Sequence, residues 1–200
     1  MCEIGGMVLA AGMSERMDAP VPKQLLPLGS QTIAARIVDA AERSQLDRIV
    51  VITGYRGEEV AAAVAGGHAE IVANPEYRSG NMSSFRVGAA ALEDCDAVVV
   101  LLADMPGVTT EMIDRLTDEW RDNHPWAALS RYTDGPAHPL LFSAPALREA
   151  ARVEGAKAVW RFLESAPQGY VSYVDFAMPA PVDINTRSDY NKILRNHGSS

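Results

Sequence analysis

Ala97-Val98-Val99-Val100-Leu101-Leu102, followed by Ala103-Asp104-Met105-Pro106, is the stretch on which the fold turns. An uninterrupted apolar run of this length has the pattern of a strand covered on both faces, not of one with a wet side. Working outward, the same kind of run recurs upstream at Gly6 to Ala10 and at Arg48 to Thr53, the latter β-branched at its centre. A short strand is expected at Glu70 to Ala73, and further strands at Trp126 to Ser130, Pro139 to Phe142 and Tyr170 to Val174.

Between the strands, apolar residues return at helical spacing. Ile33, Ile37, Val38 and Ala41 line one face of a helix over Gln31 to Arg43, and Met112, Ile113, Leu116 and Trp120 one face of a helix over Thr110 to Arg121. Gly57 to Ala65 reads as a helix stopped by Gly66-Gly67. Further helices are expected near Ser83 to Leu92, at Pro145 to Ala151, at Ala156 to Glu164 and at Ser188 to Arg195, with fraying from His197 to Ser200. Alternating strands and helices predict an α/β domain: a mostly parallel sheet covered on both sides. Its ligands belong beyond the carboxyl ends of the strands, in the loops after the strands ending at Ala10, Ala73 and Leu102.

The chain has 200 residues, 48% of them hydrophobic, with a formal charge of -8. That length suits one domain with a core that needs no staples. The two cysteines form no framework: Cys95 reads as a small core residue and Cys2 as part of a mobile terminus. No apolar run is long enough to cross a bilayer. No basic stretch leads into an apolar one at Met1-Cys2-Glu3-Ile4, so a cytoplasmic protein without a membrane partner is expected. The acidic balance argues against a nucleic-acid surface. An anionic ligand would need a local basic cluster, backbone N–H groups or a metal.

Three segments carry candidate chemistry. The first is Leu9-Ala10-Ala11-Gly12-Met13-Ser14-Glu15-Arg16-Met17, followed by Lys23-Gln24-Leu25-Leu26. A small-residue turn after a strand lets backbone N–H groups approach a polyphosphate. Arg16 can grip phosphate in a bidentate way and Lys23 adds a point charge. A connecting loop with two solvated cations is the plain alternative. The second is Asp104, at the ligand edge of the sheet, where one carboxylate can hold Mg²⁺ against phosphates; a turn-forming Asp is the alternative. The third is Asp183-Ile184-Asn185, whose alternate side chains would share one side of an extended segment, unless they only cap the next helix.

His138, in Pro136-Ala137-His138-Pro139, is a candidate acceptor contact or else a structural residue. The four His and two Cys lack the spacing of a zinc site. Ser14, Ser83 and Ser84 lack the G-x-S-x-G setting of a nucleophile. The P-loop and dinucleotide fingerprints are absent. The tryptophans are expected in the core.

Taken in chain order, the segments resemble the MobA/MocA-like nucleotidyltransferases, which finish the molybdenum cofactor. The resemblance runs over roughly residues 7–190. It rests on Leu9-Ala10-Ala11-Gly12, Ser14, Arg16-Met17 and Lys23-Gln24-Leu25-Leu26-Pro27-Leu28. It continues through Asn74-Pro75, Gly80-Asn81-Met82-Ser83-Ser84, Leu102-Ala103-Asp104-Met105-Pro106 and His138-Pro139-Leu140-Leu141-Phe142, and closes with Gly155-Ala156-Lys157 and Asp183-Ile184-Asn185-Thr186.

It implies a three-layer Rossmann-like sheet of the nucleotide-diphospho-sugar transferase type with a small added β element. It also implies an enzyme that moves a nucleoside monophosphate from a triphosphate to a small phosphorylated acceptor, releasing pyrophosphate with Mg²⁺. By resemblance, Leu9 to Gly12, Ser14, Arg16 and Lys23 would hold the triphosphate. Asn74, Gly80, Ser83 and Ser84 would frame the base, ribose or acceptor, and Asp104 with Asn185 (or Asp183) would hold the metal. Arg16, Lys23 and Asp104 would carry catalysis. The Ala10-Ala11-Gly12 form of the loop and the His138-Pro139 segment resemble the cytidylyl-transferring branch, which implies CTP, molybdopterin and a molybdoenzyme or its chaperone as partner.

The chain departs from the family pattern at Asp18, where Gly is usual, at Ala19-Pro20-Val21-Pro22, which lengthens the path to Lys23, at Arg152-Val153 and at Arg187. Rival readings are a guanylyl or sugar-phosphate transferase, a nicotinamide-dependent reductase and a catalytically silent nucleotide binder.

Overall fold

In the computed structural model, which describes residues 2–17, 21–155 and 157–197, the apolar run at Ala97 to Leu102 becomes β6 (Cys95–Leu102), the central strand of a seven-stranded sheet. On one side it pairs in parallel with β1 (Cys2–Leu9), which continues through β4 (Arg48–Thr53) to β5 (Glu70–Ala73). On the other side lie β8 (Gly135–Ser143), β7 (Ala127–Tyr132) and β9 (Val171–Asp175). Among the described strands of this sheet, β8 alone runs against its neighbours, antiparallel to both β6 and β7.

Burial on two faces explains the apolar strands. Ile4 and Val8 of β1 point into a core shared with α1 (Ile33–Glu42), α2 (Gly57–Ala63) and α4 (Thr110–Asn123). Met7 of β1 points the other way, into a core with α3 (Asn81–Ala91), α5 (Ala144–Ala150) and α6 (Ala158–Glu164). Successive side chains of a strand take opposite faces, so a strand with cover on both sides has no polar position. The three-layer α/β expectation holds.

A third, smaller core lies beside the sheet. Pro27–Leu28 and Gln31–Thr32 form a two-stranded hairpin, β2 and β3, turning at Gly29 with φ 66°. Leu28 and Ile33 pack there against Met17, Ile184 and Tyr190, the last from α7 (Arg187–His197). The Tyr190 hydroxyl donates to the Pro27 carbonyl at 2.5 Å. The chain's end is thereby tied to the segment that follows Lys23. No helix among the described residues is long and apolar enough to cross a membrane.

Two expectations need correction. Cys95 is buried, but it opens β6 and is disulfide-bonded. Cys2, expected in a mobile terminus, begins β1 in register opposite Cys95, because the strand extends inward from the fully buried Ile4. The tryptophans also differ from expectation: Trp120 is buried, whereas Trp126 and Trp160 are only partly so. The lengthened Asp18-Ala19-Pro20 path, Ala156 and the last three residues lie outside the described residues.

Candidate functional site

The sheet order explains where a site must form. From β1 the chain winds outward to β4 and β5, then returns to place β6 on the other side of β1. The loops after β1 and β6 therefore part in opposite directions and leave a crevice between them. Register brings the two loops level: Leu9 lies opposite Leu102, and the Ala103 N–H donates to the Leu9 carbonyl at 3.1 Å.

The crevice is a cavity of about 660 Å³. Leu9, Ala11, Gly12, Ser14, Arg16 and Lys23 line it from the first loop, Asp104 from the β6 loop, and Asp183 and Asn185 from the segment before α7. Gly80 and Ser84 line its far wall. Asn74 and Ser83 lie buried behind that wall, and Ala10 is buried in the core shared with α1, α2 and α4. The Asn74 amide donates to the hydroxyls of Ser83 at 2.8 Å and Ser84 at 2.9 Å, and its oxygen accepts from the Glu76 N–H at 2.9 Å. That network fixes the start of α3 against the end of β5. It braces the wall and leaves Ser84 to face the cavity.

The first loop is shaped by its own side chains. Ser14 takes a left-handed backbone, φ 58°, and its hydroxyl donates to Gln24 at 3.2 Å while accepting the Lys23 N–H at 2.9 Å. Gln24 in turn donates to the Gly12 carbonyl at 3.2 Å. The loop is thus stapled to the turn that carries Lys23. Gln24 was not among the candidate site residues; the signal that could have found it is an amide directly after the lysine that follows a small-residue turn. Tyr77 and Asn81 also line the cavity and had no such signal beyond lying between Asn74 and Ser83.

At the cavity floor the charges converge. Lys23 Nζ lies 2.5 Å from Asp104 Oδ2 and 3.1 Å from Asn185 Oδ1. Arg16 Nη2 donates to the same Asn185 oxygen at 2.8 Å. The Asn185 amide nitrogen donates to Asp183, so these two side chains share one side of the segment, as their spacing predicts. The capping role falls instead to Thr186 with Asp189: the Thr186 hydroxyl accepts the Asp189 N–H at 3.3 Å, and the Asp189 carboxylate accepts from the backbone N–H and the hydroxyl of Thr186 and from the N–H of Asn185. The Thr186 hydroxyl, with those backbone groups and nearby Lys192, holds the Asp189 carboxyl below its ordinary range. The Ile184 N–H to Asp104 carbonyl bond, 2.9 Å, holds the whole segment against the β6 loop.

His138 stands apart from this floor. It borders a second, more apolar cavity of about 560 Å³ that opens beside the first and shares Leu9, Gly80, Asn81 and Leu102 with it. Its ring stands perpendicular to that of Trp160 with centroids 5.6 Å apart, and Met82, Phe85 and Lys157 are also on the walls. Burial pushes the His138 imidazole down to about 4, against an opposing pull from the Asp183 charge. It is neutral at pH 7.

A divalent cation fits the floor by donor type. Asp104, Asp183 and the Asn185 amide oxygen are hard oxygen donors at one end of the cavity, and a small divalent cation usually takes one or two protein carboxylates with phosphates supplying the rest. Among the described residues no group of three or more His, Cys, Asp and Glu is poised to hold a metal. The donor set therefore suits an ion that arrives partly ligated, and not one caged by protein alone.

Comparison with known proteins comes to the same place. A family model described as a MobA-like NTP transferase domain matches residues 6–170. The bifunctional protein GlmU of Burkholderia orbicola is 32% identical over 116 residues, 58% of this chain and 25% of that protein, so the chain spans about a quarter of such relatives. The molybdenum cofactor cytidylyltransferase of Escherichia coli K12 is 30% identical over 154 residues, 75% of each chain. Among solved structures, Rv0371c from Mycobacterium tuberculosis H37Rv superposes with a TM-score of 0.87 at 31% identity, covering 97% of this chain and 98% of that one. Its complex with manganese superposes at 0.81 with 29% identity and the same coverage.

Proposed function

The chain belongs to the MobA-like NTP transferase family, and from that premise we propose that it transfers a nucleoside monophosphate, CMP from CTP, to a phosphorylated acceptor of the molybdopterin kind. The observation that carries this reading is the 2.5 Å contact between Lys23 and Asp104 on the floor of one cavity. A cationic turn from one strand end and a carboxylate from another face the same space, which is the arrangement that gripping a polyanion requires.

An acceptor phosphate oxygen attacks the donor α-phosphorus in line. A P–O bond forms there as the bond to the α–β bridging oxygen breaks, and pyrophosphate departs with that electron pair. Two anions must approach, so the chain's task is charge neutralisation and alignment. Arg16 and Lys23 offset charge on the departing end. The backbone of Ala11 and Gly12 comes close to the phosphates, and Ser14 with Gln24 keeps that backbone in place. Asp104 with Asn185 or Asp183 would hold Mg²⁺, which would supply further neutralisation of the phosphate oxygens. The apolar cavity with His138 and Trp160 receives the body of the acceptor, where a neutral imidazole can hydrogen-bond without adding charge. The choice of CTP and molybdopterin is supported by the Ala10-Ala11-Gly12 form of the loop and by the E. coli relative. Delivery to a molybdoenzyme or its chaperone belongs to the same proposal.

Pyrophosphate release measured across nucleotides and acceptors tests the reading. CTP with molybdopterin should turn over at least about tenfold faster than GTP, roughly 1.4 kcal/mol of discrimination. Asp104→Ala should lower the rate by about a hundredfold or more, near 3 kcal/mol in the barrier. No pyrophosphate from any pair, or a rate that survives Asp104→Ala, overturns it.

A further inference from the structure

The cavity floor holds its charges in an unusual pairing. Lys23 and Arg16, which the proposed function gives to the triphosphate, both spend their donors on the groups that it gives to the metal. Lys23 reaches Asp104 at 2.5 Å and Asn185 at 3.1 Å; Arg16 reaches Asn185 at 2.8 Å. The Lys23 and Asp104 side chains are only 11% and 19% exposed, so water screens the pair weakly. With Asp183 bound to Asn185, these linked side chains of the floor are neutral together, two positive and two negative, and Glu15 adds one negative charge elsewhere on the cavity lining.

From this pairing we propose that Lys23 is a stand-in cation, which holds the Asp104 carboxylate until a triphosphate draws the ammonium away, so that the divalent metal and the nucleotide enter as one unit. The proposal rests on the functional reading above. A dication entering alone meets the Lys23 ammonium at Asp104 and makes a neutral floor doubly positive. A triphosphate brings about four negative charges, gives Lys23 a better partner, and leaves Asp104 free to take up the metal. The coupling is reciprocal: whatever lowers the cost of releasing Lys23 for one ligand lowers it for the other. Lys23 is then a positioning residue as well as a phosphate contact, because it sets the order of binding.

Binding of Mn²⁺ alone, read from loss of the free-ion paramagnetic resonance signal without nucleotide, tests this. Lys23→Met and the similarly sized Lys23→Gln should each bind Mn²⁺ about tenfold or more tighter than wild type, within the usual range of such couplings. Lys23→Arg keeps the charge and should bind as weakly as wild type. Adding Asp104→Asn to Lys23→Met should abolish the gain. Neutral variants that bind Mn²⁺ no tighter than wild type overturn the proposal, as does a gain that survives Asp104→Asn. The test separates the two readings. A gain in the neutral variants with no pyrophosphate release from the wild type keeps the stand-in and removes the transferase; wild-type turnover without a gain in the variants does the reverse.

Discussion

His138 illustrates how far a single residue's environment departs from what its letter suggests. In the sequence it was a lone histidine before a proline; in the fold it lines an apolar cavity with the Trp160 ring packed perpendicular to its own. Its imidazole titrates near 4 because burial disfavours the charged form. In the unfolded chain it titrates near the ordinary 6.5, so between these values the unfolded chain binds the extra proton and the folded one does not. Stability should therefore rise with pH from about 4 to about 6.5, by at most about 3 kcal/mol, and be flat in this respect above. Denaturant unfolding at pH 4.5 and 7 should show that slope in the wild type, and His138→Gln should remove its share. An unchanged slope in the variant contradicts the burial account. Asp104 and Lys23 were readable as residue types at strand ends, but their contact was not. They lie 81 positions apart, and which loops meet is decided by strand order, on which neither local sequence has any influence.

At the scale of elements, β4 was read to the residue, Arg48–Thr53, since an apolar run with cover on both faces has sharp ends. β6 begins two residues before the Ala97 read for it, and β1 runs Cys2–Leu9 where Gly6 to Ala10 was read. The exposed edge strand Glu70–Ala73 matches without such cover. β8 did not: it starts at Gly135, not Pro139, because Pro136 and Pro139 argue against a strand interior. They are tolerated here beside a register shift at Leu129 and Ser130 on β7, where the ladder is already interrupted. A small added β element was implied by resemblance, but the place of the β2–β3 hairpin was not legible in the residues. Strands of two residues have no periodicity to read, and their stability comes from the small core under α7. Tyr190 anchors that core and is 6% exposed. Tyr190→Ala should cost about 3 kcal/mol and also depress pyrophosphate release, because it loosens the Lys23 turn from the Asn185 segment. Tyr190→Phe loses only the hydroxyl bond to Pro27, about 1 kcal/mol. Unfolding curves and turnover measured on both variants check this; full turnover in Tyr190→Ala would show that α7 does not hold the site together.

Across the whole molecule, one topological fact organises the rest. The chain reverses its direction of winding between β1 and β6, and the crevice opened there collects side chains from the loop ending at Arg16, from Lys23 and Gln24, from Asp104 and from Asp183 with Asn185. A protein of net charge -8 thus builds a local patch in which two cations and two carboxylates meet, and long-range attraction of an anion plays no part. Anomalous diffraction from crystals soaked with CTP and Mn²⁺ measures this directly. The ion should lie roughly 2 Å from an Asp104 oxygen, with Asn185 or Asp183 beside it, and the triphosphate should run between that ion and Arg16 and Lys23. An ion or a triphosphate bound away from Asp104 would contradict the account.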